Sequence, residues 1–509
     1  MSDVQSAAPA KSDAKAIFAR SWIERLGVNR VWASIADRGR RFALLPASSI
    51  GPGERARLLA EALISNRGEA SGAAVARELH GVLSTLDAPQ RLEFYRFLAT
   101  SFTPEPARLA AAAQAYLAEA TARTAAELAV AAEPVRQELL RRMNMSRGGT
   151  AMLVAMRKEI LPLVKAHAEL QPLEADLLHL LASWFNRGFL ELRRIDWNTP
   201  AAVLDKLIAY EAVHEIQGWE DLRRRLAPDR RCFGFFHPAL PGEPLIFVEV
   251  ALVNGLAGAV QGLLARDTDE DEQRLRAAQA DTAIFYSISN CQDGLRGISF
   301  GNFLIKQVVE ELRTELPQLT RFSTLSPAPG FAAWLAKHLT DETLLAKAMR
   351  PADRAALAAA TWAETGAETG AEKGAVEEDG KLLGAALALP EWWQGPAAAA
   401  LQSPLLRLCA TYLTTARKGG GAQDPVARFH LGNGARLERI NWMGNSDPRG
   451  LKESHGIMVN YLYDIATIEA NHEAYASEQV IARSEGVEAL LQEPAPKRRR
   501  FPALRAGER

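Results

Sequence analysis

The sequence predicts two folded parts in series: an all-helical N-terminal domain followed by a mixed α/β domain. Three observations predict it. From about Ala16 to Trp184 the chain is rich in Ala, Leu, Arg and Glu, with apolar residues at helical spacing. After Phe189, runs of β-branched and aromatic residues appear, bounded by turn signals. Between Ala283 and Gly330 the pattern reads strand, glycine-rich loop, helix, strand, turn, helix. At 509 residues the chain has room for two or three domains with ample buried core.

Taken in order, residues 1–15 are small and polar and are expected to be disordered. Residues 16–188 form the helical domain. Its pattern is clear in Leu173-Glu-Ala-Asp-Leu-Leu-His-Leu-Leu-Ala-Ser-Trp184, and glycine and proline fall mostly at breaks such as Gly51-Pro-Gly53 and Pro104-Glu-Pro106. Nothing in it suggests chemistry, so it reads as a packing and oligomerisation module. Residues 189–488 form the α/β domain. Leu245–Val253 and Ala283–Ser289 read as strands. Asn302–Leu316 has no glycine or proline and reads as one amphipathic helix, ended by Pro317. Phe322, Thr324 and Leu325 end a strand, and a helix resumes at Phe331. Further on, Val426–Leu431 and Ala435–Trp442 flank Gly432-Asn433-Gly434, which predicts a β-hairpin. The tandem run Gly366–Gly374 reads as a mobile surface insertion near 363–381. Residues 489–509, with Lys497-Arg-Arg-Arg500, read as a basic flexible tail.

Composition narrows the function. Apolar residues are 48%, charged residues 24%, and the formal net charge is -1. No global field therefore attracts nucleic acid or an anionic membrane, and an anionic ligand must be met by a local site. No apolar run is long enough to span a bilayer, and the N-terminus lacks the apolar core of a secretory signal. Cys232, Cys291 and Cys409 lie far apart without a CxxC. That excludes a disulfide framework and a cysteine-rich zinc site, and predicts a reducing, cytoplasmic location with the three thiols as buried filler.

Two stretches carry the chemistry. The loop Asn290–Asn302 holds Gly294, Gly297 and Gly301 with Arg296, and it opens a helix. Backbone N–H groups at such a place suit an anion such as a diphosphate. The second stretch, FSTLSPAPGF (322–331), sets the hydroxyl of Ser326 at a strand end beside Pro327, Pro329 and Gly330. Taken singly, these residues also have plain structural readings. Ser326 suits a helix N-cap. His430 suits an ordinary hairpin histidine, His214 a structural helix residue, and Tyr463 a core tyrosine.

The strand–loop–helix–strand order resembles the GNAT-type acyltransferase core, in which coenzyme A lies between two splayed parallel strands. A denser set of motifs resembles the malonyl-CoA decarboxylase family: Phe285-Tyr-Ser-Ile-Ser289, Gly294-Leu-Arg-Gly297, Phe303–Val309, Leu325-Ser-Pro-Ala-Pro-Gly-Phe331, Phe429-His-Leu-Gly-Asn-Gly-Ala435, Arg439–Met443 and Met458-Val-Asn-Tyr-Leu-Tyr463. Trp184–Leu190 and Glu211–Ile216 add to the match. The resemblance implies a GNAT-like catalytic domain, malonyl-CoA as substrate, acetyl-CoA and CO2 as products, a homo-oligomer, and no cofactor or metal. It implies Ser326, His430 and Tyr463 as catalytic residues. It implies Arg296, Gly297, Ile298, Ser299, Phe300, Gly301 and Asn302, with Ser326 and His430, as substrate-binding residues. Some members carry a glutamate where Ser299 stands, so a carboxylate there is not required.

Loss of CO2 leaves an electron pair beside a thioester, whose carbonyl can hold it as an enolate. The protein must then stabilise an oxyanion and deliver a proton to carbon, tasks suited to backbone N–H groups and to histidine. An acyltransferase with the same groove, or a non-catalytic acyl-CoA sensor, remains open at this level. A serine hydrolase is disfavoured, because no Gly-x-Ser-x-Gly surrounds Ser326.

Overall fold

The computed structural model describes residues 50–65, 69–298, 304–365 and 377–492. The expected disordered start, the tandem run at 366–374, the basic tail from Lys497, and Ser299, Phe300, Gly301 and Asn302 all lie outside these residues. The chain divides into two compact units. The first comprises 1–191 with 236–245 and 291–300, and the second 192–235, 246–290 and 301–509.

The first unit is helical, as the composition predicts. Its helices are α1 (Pro52–Ile64), α2 (Glu69–Leu83), α3 (Ala88–Ser101), α4 (Pro106–Ala118), α5 (Ala122–Ala132), α6 (Val135–Asn144), α7 (Gly149–Leu163) and α8 (Gln171–Trp184). Local signals set their ends. Asp87 and Gln90 form a reciprocal capping box at the start of α3. The buried faces carry Leu59, Leu79, Leu98, Leu139, Leu153, Ile160 and Leu181. The one-turn helix Asp293–Leu295 packs on α7. There Arg157 Nη1 donates to the Gly294 carbonyl at 2.7 Å, and Lys158 pairs with Asp293 at 3.0 Å. A Cβ on Gly294 would run into the Val154 carbonyl. At Gly294, then, the protein itself explains the need for glycine, whereas the loop reading assigned it to a ligand. Gly297 does adopt a positive φ, +84°.

The second unit is built on an eight-stranded sheet in the order β1-β2-β3-β4-β5-β10-β6, with β9 on β10. The strands are β1 (Glu191–Ile195), β2 (Arg230–Phe236), β3 (Pro244–Val253), β4 (Thr282–Asn290), β5 (Arg321–Thr324), β6 (Ser326–Pro327), β9 (Arg436–Asn441) and β10 (Met458–Leu462). The short pair β7 (Arg417–Lys418) and β8 (Gly421–Ala422) stands apart. β4 and β5 are parallel, paired from Thr282↔Arg321 to Phe285↔Thr324. β4 then runs on to Asn290 without β5, so the two strands part at this point. Between them in sequence lies helix α9 (Leu304–Glu315), whose Leu304, Ile305, Val308, Val309 and Leu312 are buried. A parallel pair needs such a crossover. The helices around the end of β5 include α10 (Phe331–His338), α11 (Pro396–Thr415) and α12 (Pro425–Gly432).

The structure corrects four readings. Residues 425–432 are helical, so the expected hairpin at Asn433-Gly434 does not form. Asp424 caps the helix by accepting from Val426 N and Ala427 N at 2.9 Å each, with Pro425 at its first position. Asn433-Gly434 ends it. Gly434 N donates to Leu431 O and Ala435 N to His430 O, the Schellman arrangement, with Gly434 at φ +83°. A left-handed residue serves a helix end as well as a hairpin, and the cap upstream decides between them. Ser326 is not a helix N-cap: Gly330 takes that position, and Ser326 pairs with Val459 of β10. His214 lies outside the helices, in a loop whose Val213 and His214 N–H groups both donate to Glu211 Oε1 at 2.8 Å. The region near 363–381 is helical at its edges, in Pro351–Thr365 and Glu377–Ala388. None of the three cysteines forms a disulfide, and all three are buried. Among the described residues, no helix is long and apolar enough to cross a membrane.

Candidate active site

Three elements of the second unit bring Ser326, His430 and Tyr463 together. Ser326 lies on β6, just past the point where β5 leaves β4. His430 sits in the last turn of α12. Tyr463 follows β10, held where its N–H donates to the Phe322 carbonyl at 2.8 Å. β10 pairs with both β5 and β6, so one strand registers the tyrosine against the serine. Asn460 reinforces this across the break, with Nδ2 donating to the Thr324 carbonyl at 2.7 Å.

The three side chains form one hydrogen-bonded line. Ser326 Oγ is 3.1 Å from His430 Nε2, and His430 Nδ1 is 2.8 Å from the Tyr463 hydroxyl. The imidazole stacks on Tyr461, with ring centroids 4.7 Å apart. All three members are buried, Ser326 the least so at 7% exposure.

Burial decides the charge and proton placement in this line. It pushes His430 down to about 3, so the imidazole is neutral at physiological pH. It pushes the Tyr463 hydroxyl well above its ordinary value, so the tyrosine stays protonated. Among the described residues the Tyr463 hydroxyl has one hydrogen-bond partner, His430 Nδ1. Leaving its hydrogen without an acceptor would cost about 1–3 kcal/mol. Tyr463 therefore donates to Nδ1, and the imidazole proton lies on Nε2, facing Ser326 Oγ. The serine hydrogen is left free for a ligand. In this form Nε2 cannot take a proton from Ser326, so the pair is arranged to donate rather than to activate a nucleophile.

A pH prediction follows. Unfolded, His430 binds a proton near its ordinary 6.5; folded, it does so only near 3. Between these values the unfolded state holds the extra proton, so stability falls as pH drops from about 6.5 towards 3. His430→Gln should remove up to about 1.4 kcal/mol per pH unit of that slope. Denaturant melts over this range check it, and an unchanged slope in the variant would contradict the neutral assignment.

The loop residues Arg296, Gly297 and Ile298 belong to the first unit, and Ser299 to Asn302 lie outside the described residues. Arg296 is exposed and sits 3.4 Å from Asp293, while Ile298 is buried. The sequence reading did not single out Tyr461, Asn460 or Asp424. The first two were legible as members of the run Asn460-Tyr-Leu-Tyr463. Asp424 was hidden by the hairpin reading of the segment after it.

Residues 188–501 match the family model described as the malonyl-CoA decarboxylase C-terminal domain, and 102–185 the one described as its N-terminal domain. The chain belongs to the malonyl-CoA decarboxylase family. It is 37% identical to the mitochondrial malonyl-CoA decarboxylase of Mus musculus over 420 residues, 80% of this chain and 82% of that one. It is 39% identical to the mitochondrial malonyl-CoA decarboxylase of Anser anser anser over 359 residues, 70% and 69% of the two chains. Among solved structures it is similar to malonyl-CoA decarboxylase from Rhodopseudomonas palustris, at 47% identity and a TM-score of 0.75, covering 86% of this chain and 99% of that one. The structure from Agrobacterium vitis gives 46%, 0.73, 86% and 100%. Both expected parts, helical and mixed α/β, are present in the order the sequence predicts.

Proposed function

We infer that this protein converts malonyl-CoA to acetyl-CoA and CO2, with Ser326, His430 and Tyr463 as its catalytic line. The observation that carries the reading is the buried Ser326–His430–Tyr463 chain, with its free hydrogen on the serine, in a member of this family. The reaction takes up one proton: the bond from the α-carbon to the carboxylate breaks, its electron pair passes into the thioester as an enolate, and the carbon gains H+. A neutral His430 must therefore acquire that proton. The malonyl carboxylate supplies the means, because a nearby anion raises a histidine pKa. Substrate binding thus recruits a proton to His430. After CO2 leaves, Ser326 passes its hydrogen to the α-carbon and is reprotonated from Nε2, which leaves a neutral imidazole with its proton on Nδ1; return of that proton to Nε2 resets the line. Tyr463 stays protonated and holds the imidazole.

The enolate oxygen needs a fixed donor. The register of β4 shifts opposite Glu249/Val250, leaving Tyr286 without a partner on β3, one residue past the end of its pairing with β5. A bulge of this kind re-aims backbone N–H groups, which suits an oxyanion donor. Residues 296–302 are proposed, on the family motif, to bind the CoA portion. Three buried cysteines outside any disulfide fit a cytoplasmic location. Leu117 and Val130, exposed at 82% and 58%, support assembly of a homo-oligomer through the helical unit, and light scattering on the purified protein tests that.

The assay is purified protein with malonyl-CoA alone, after chelator treatment. Acetyl-CoA and CO2 are expected. Tight binding without turnover would point to a sensor, and turnover only with an added amine to a transferase.

A further inference from the structure

The distance between Ser326 and His430 is not set by either residue. Each sits on an element of its own, separated by 104 positions in the chain. A fully buried carboxylate, Asp424, joins the two elements. Its Oδ1 accepts from Val426 N and Ala427 N and so caps α12, six residues before His430. Its Oδ2 turns the other way. It accepts from Gly330 N, at the end of the Ser326–Gly330 turn, at 3.4 Å, and from the Tyr412 hydroxyl of α11 at 3.1 Å. All four neighbours are donors, which suits an ionised carboxylate, an acceptor at both oxygens.

We propose that Asp424 is a positioning residue for the decarboxylation, holding the Ser326 turn against the His430 helix through its second carboxylate oxygen. The inference rests on the reading of Ser326 and His430 given above. Two further features fit it. The turn lies close against the group that shares Asp424 Oδ2, since a Cβ on Gly330 would run into the Tyr412 hydroxyl of α11. The turn is also stiff, because Pro327 and Pro329 restrict its backbone. A stiff turn transmits a shift at Gly330 to Ser326 instead of absorbing it.

Asp424→Asn separates the two functions of the side chain. The remaining oxygen can still cap α12, but the new amide presents a donor to Gly330 N–H. The Tyr412 hydroxyl can rotate to accept from that amide; the Gly330 N–H cannot. The tie to the turn is lost and the cap is kept. We expect kcat for malonyl-CoA to fall at least tenfold, with KM within threefold of wild type. In a Ser326→Ala background the same change should cost less than twofold, because the pair it positions is already broken. A general loss of structure would add to Ser326→Ala in full.

A second route keeps the test decisive if Asp424→Asn folds poorly. Gly330→Ala should lower kcat at similar KM, and adding Tyr412→Phe, which removes the atom the new methyl meets, should restore most of it. Unchanged kcat in Asp424→Asn, undiminished loss in the Ser326→Ala background, or no recovery in the Gly330→Ala/Tyr412→Phe pair would overturn the proposal. Full activity of Ser326→Ala on its own would instead overturn the site reading beneath it.

Discussion

Replacing His430 by alanine should lower kcat for malonyl-CoA by roughly 10²–10⁴-fold, the range of general acid–base catalysis, while CoA affinity stays within a few-fold. The loss has two sources. The proton that must reach the α-carbon no longer has a carrier beside Ser326, which lies 3.1 Å from Nε2. The hydroxyl of Tyr463 also loses its one acceptor among the described residues. Ser326→Ala should give a loss of similar size, because it removes the last donor in the line. The double variant should fall little below the worse single one, since residues that act as a unit are not additive. Steady-state kinetics with calorimetric CoA binding check this. Near-normal rates in both single variants would remove these residues from the mechanism.

Gly294→Ala is expected to have a larger effect than the same change at Gly297, the other described glycine of the loop. The new Cβ meets the Val154 carbonyl of α7, a backbone atom that cannot rotate away. The turn must then move off the helix, which weakens the bonds from Arg157 to the Gly294 carbonyl and from Lys158 to Asp293. Overpacking of this kind costs about 1–3 kcal/mol. The melting temperature should fall by several degrees. If the adjoining residues 296–302 hold the CoA portion, the KM for malonyl-CoA should rise more than kcat falls. Gly297→Ala, with open space around its Cβ but a φ of +84°, should cost less, through backbone strain alone. Equal melting temperatures for Gly294→Ala and wild type would show that α7 does not constrain this loop.

Much of the fold was legible because local signals and tertiary demand agree. In α9 the apolar residues fall on one face and Pro317 closes the helix, so the periodicity alone names the buried side. β3 reads as a strand because it is buried almost throughout and correspondingly apolar. Its exception, Glu249, is matched by Arg225 at 2.7 Å, a partner the sequence does not reveal. The segment 425–434 failed for the opposite reason. Its residues suit a strand, and Asn433-Gly434 suits a hairpin, yet Asp424 and Pro425 start a helix and Gly434 ends it. Both outcomes need a left-handed residue at the same place. The cap at Asp424 and Pro425, at the start of the segment, decides between them.

The family, the two-part architecture and the identity of Ser326, His430 and Tyr463 as candidates were determined by the sequence, because motif order and hydrophobic period are properties of the chain itself. The turn around Ser326 was also written there, in its two prolines and glycine. What only the tertiary structure decided is the state of that serine's partner. Burial makes His430 neutral, the Tyr463 hydroxyl assigns its proton to Nε2, and Asp424 ties its helix to the serine turn. These are consequences of desolvation and of contacts between residues up to 104 positions apart, and no local pattern encodes them.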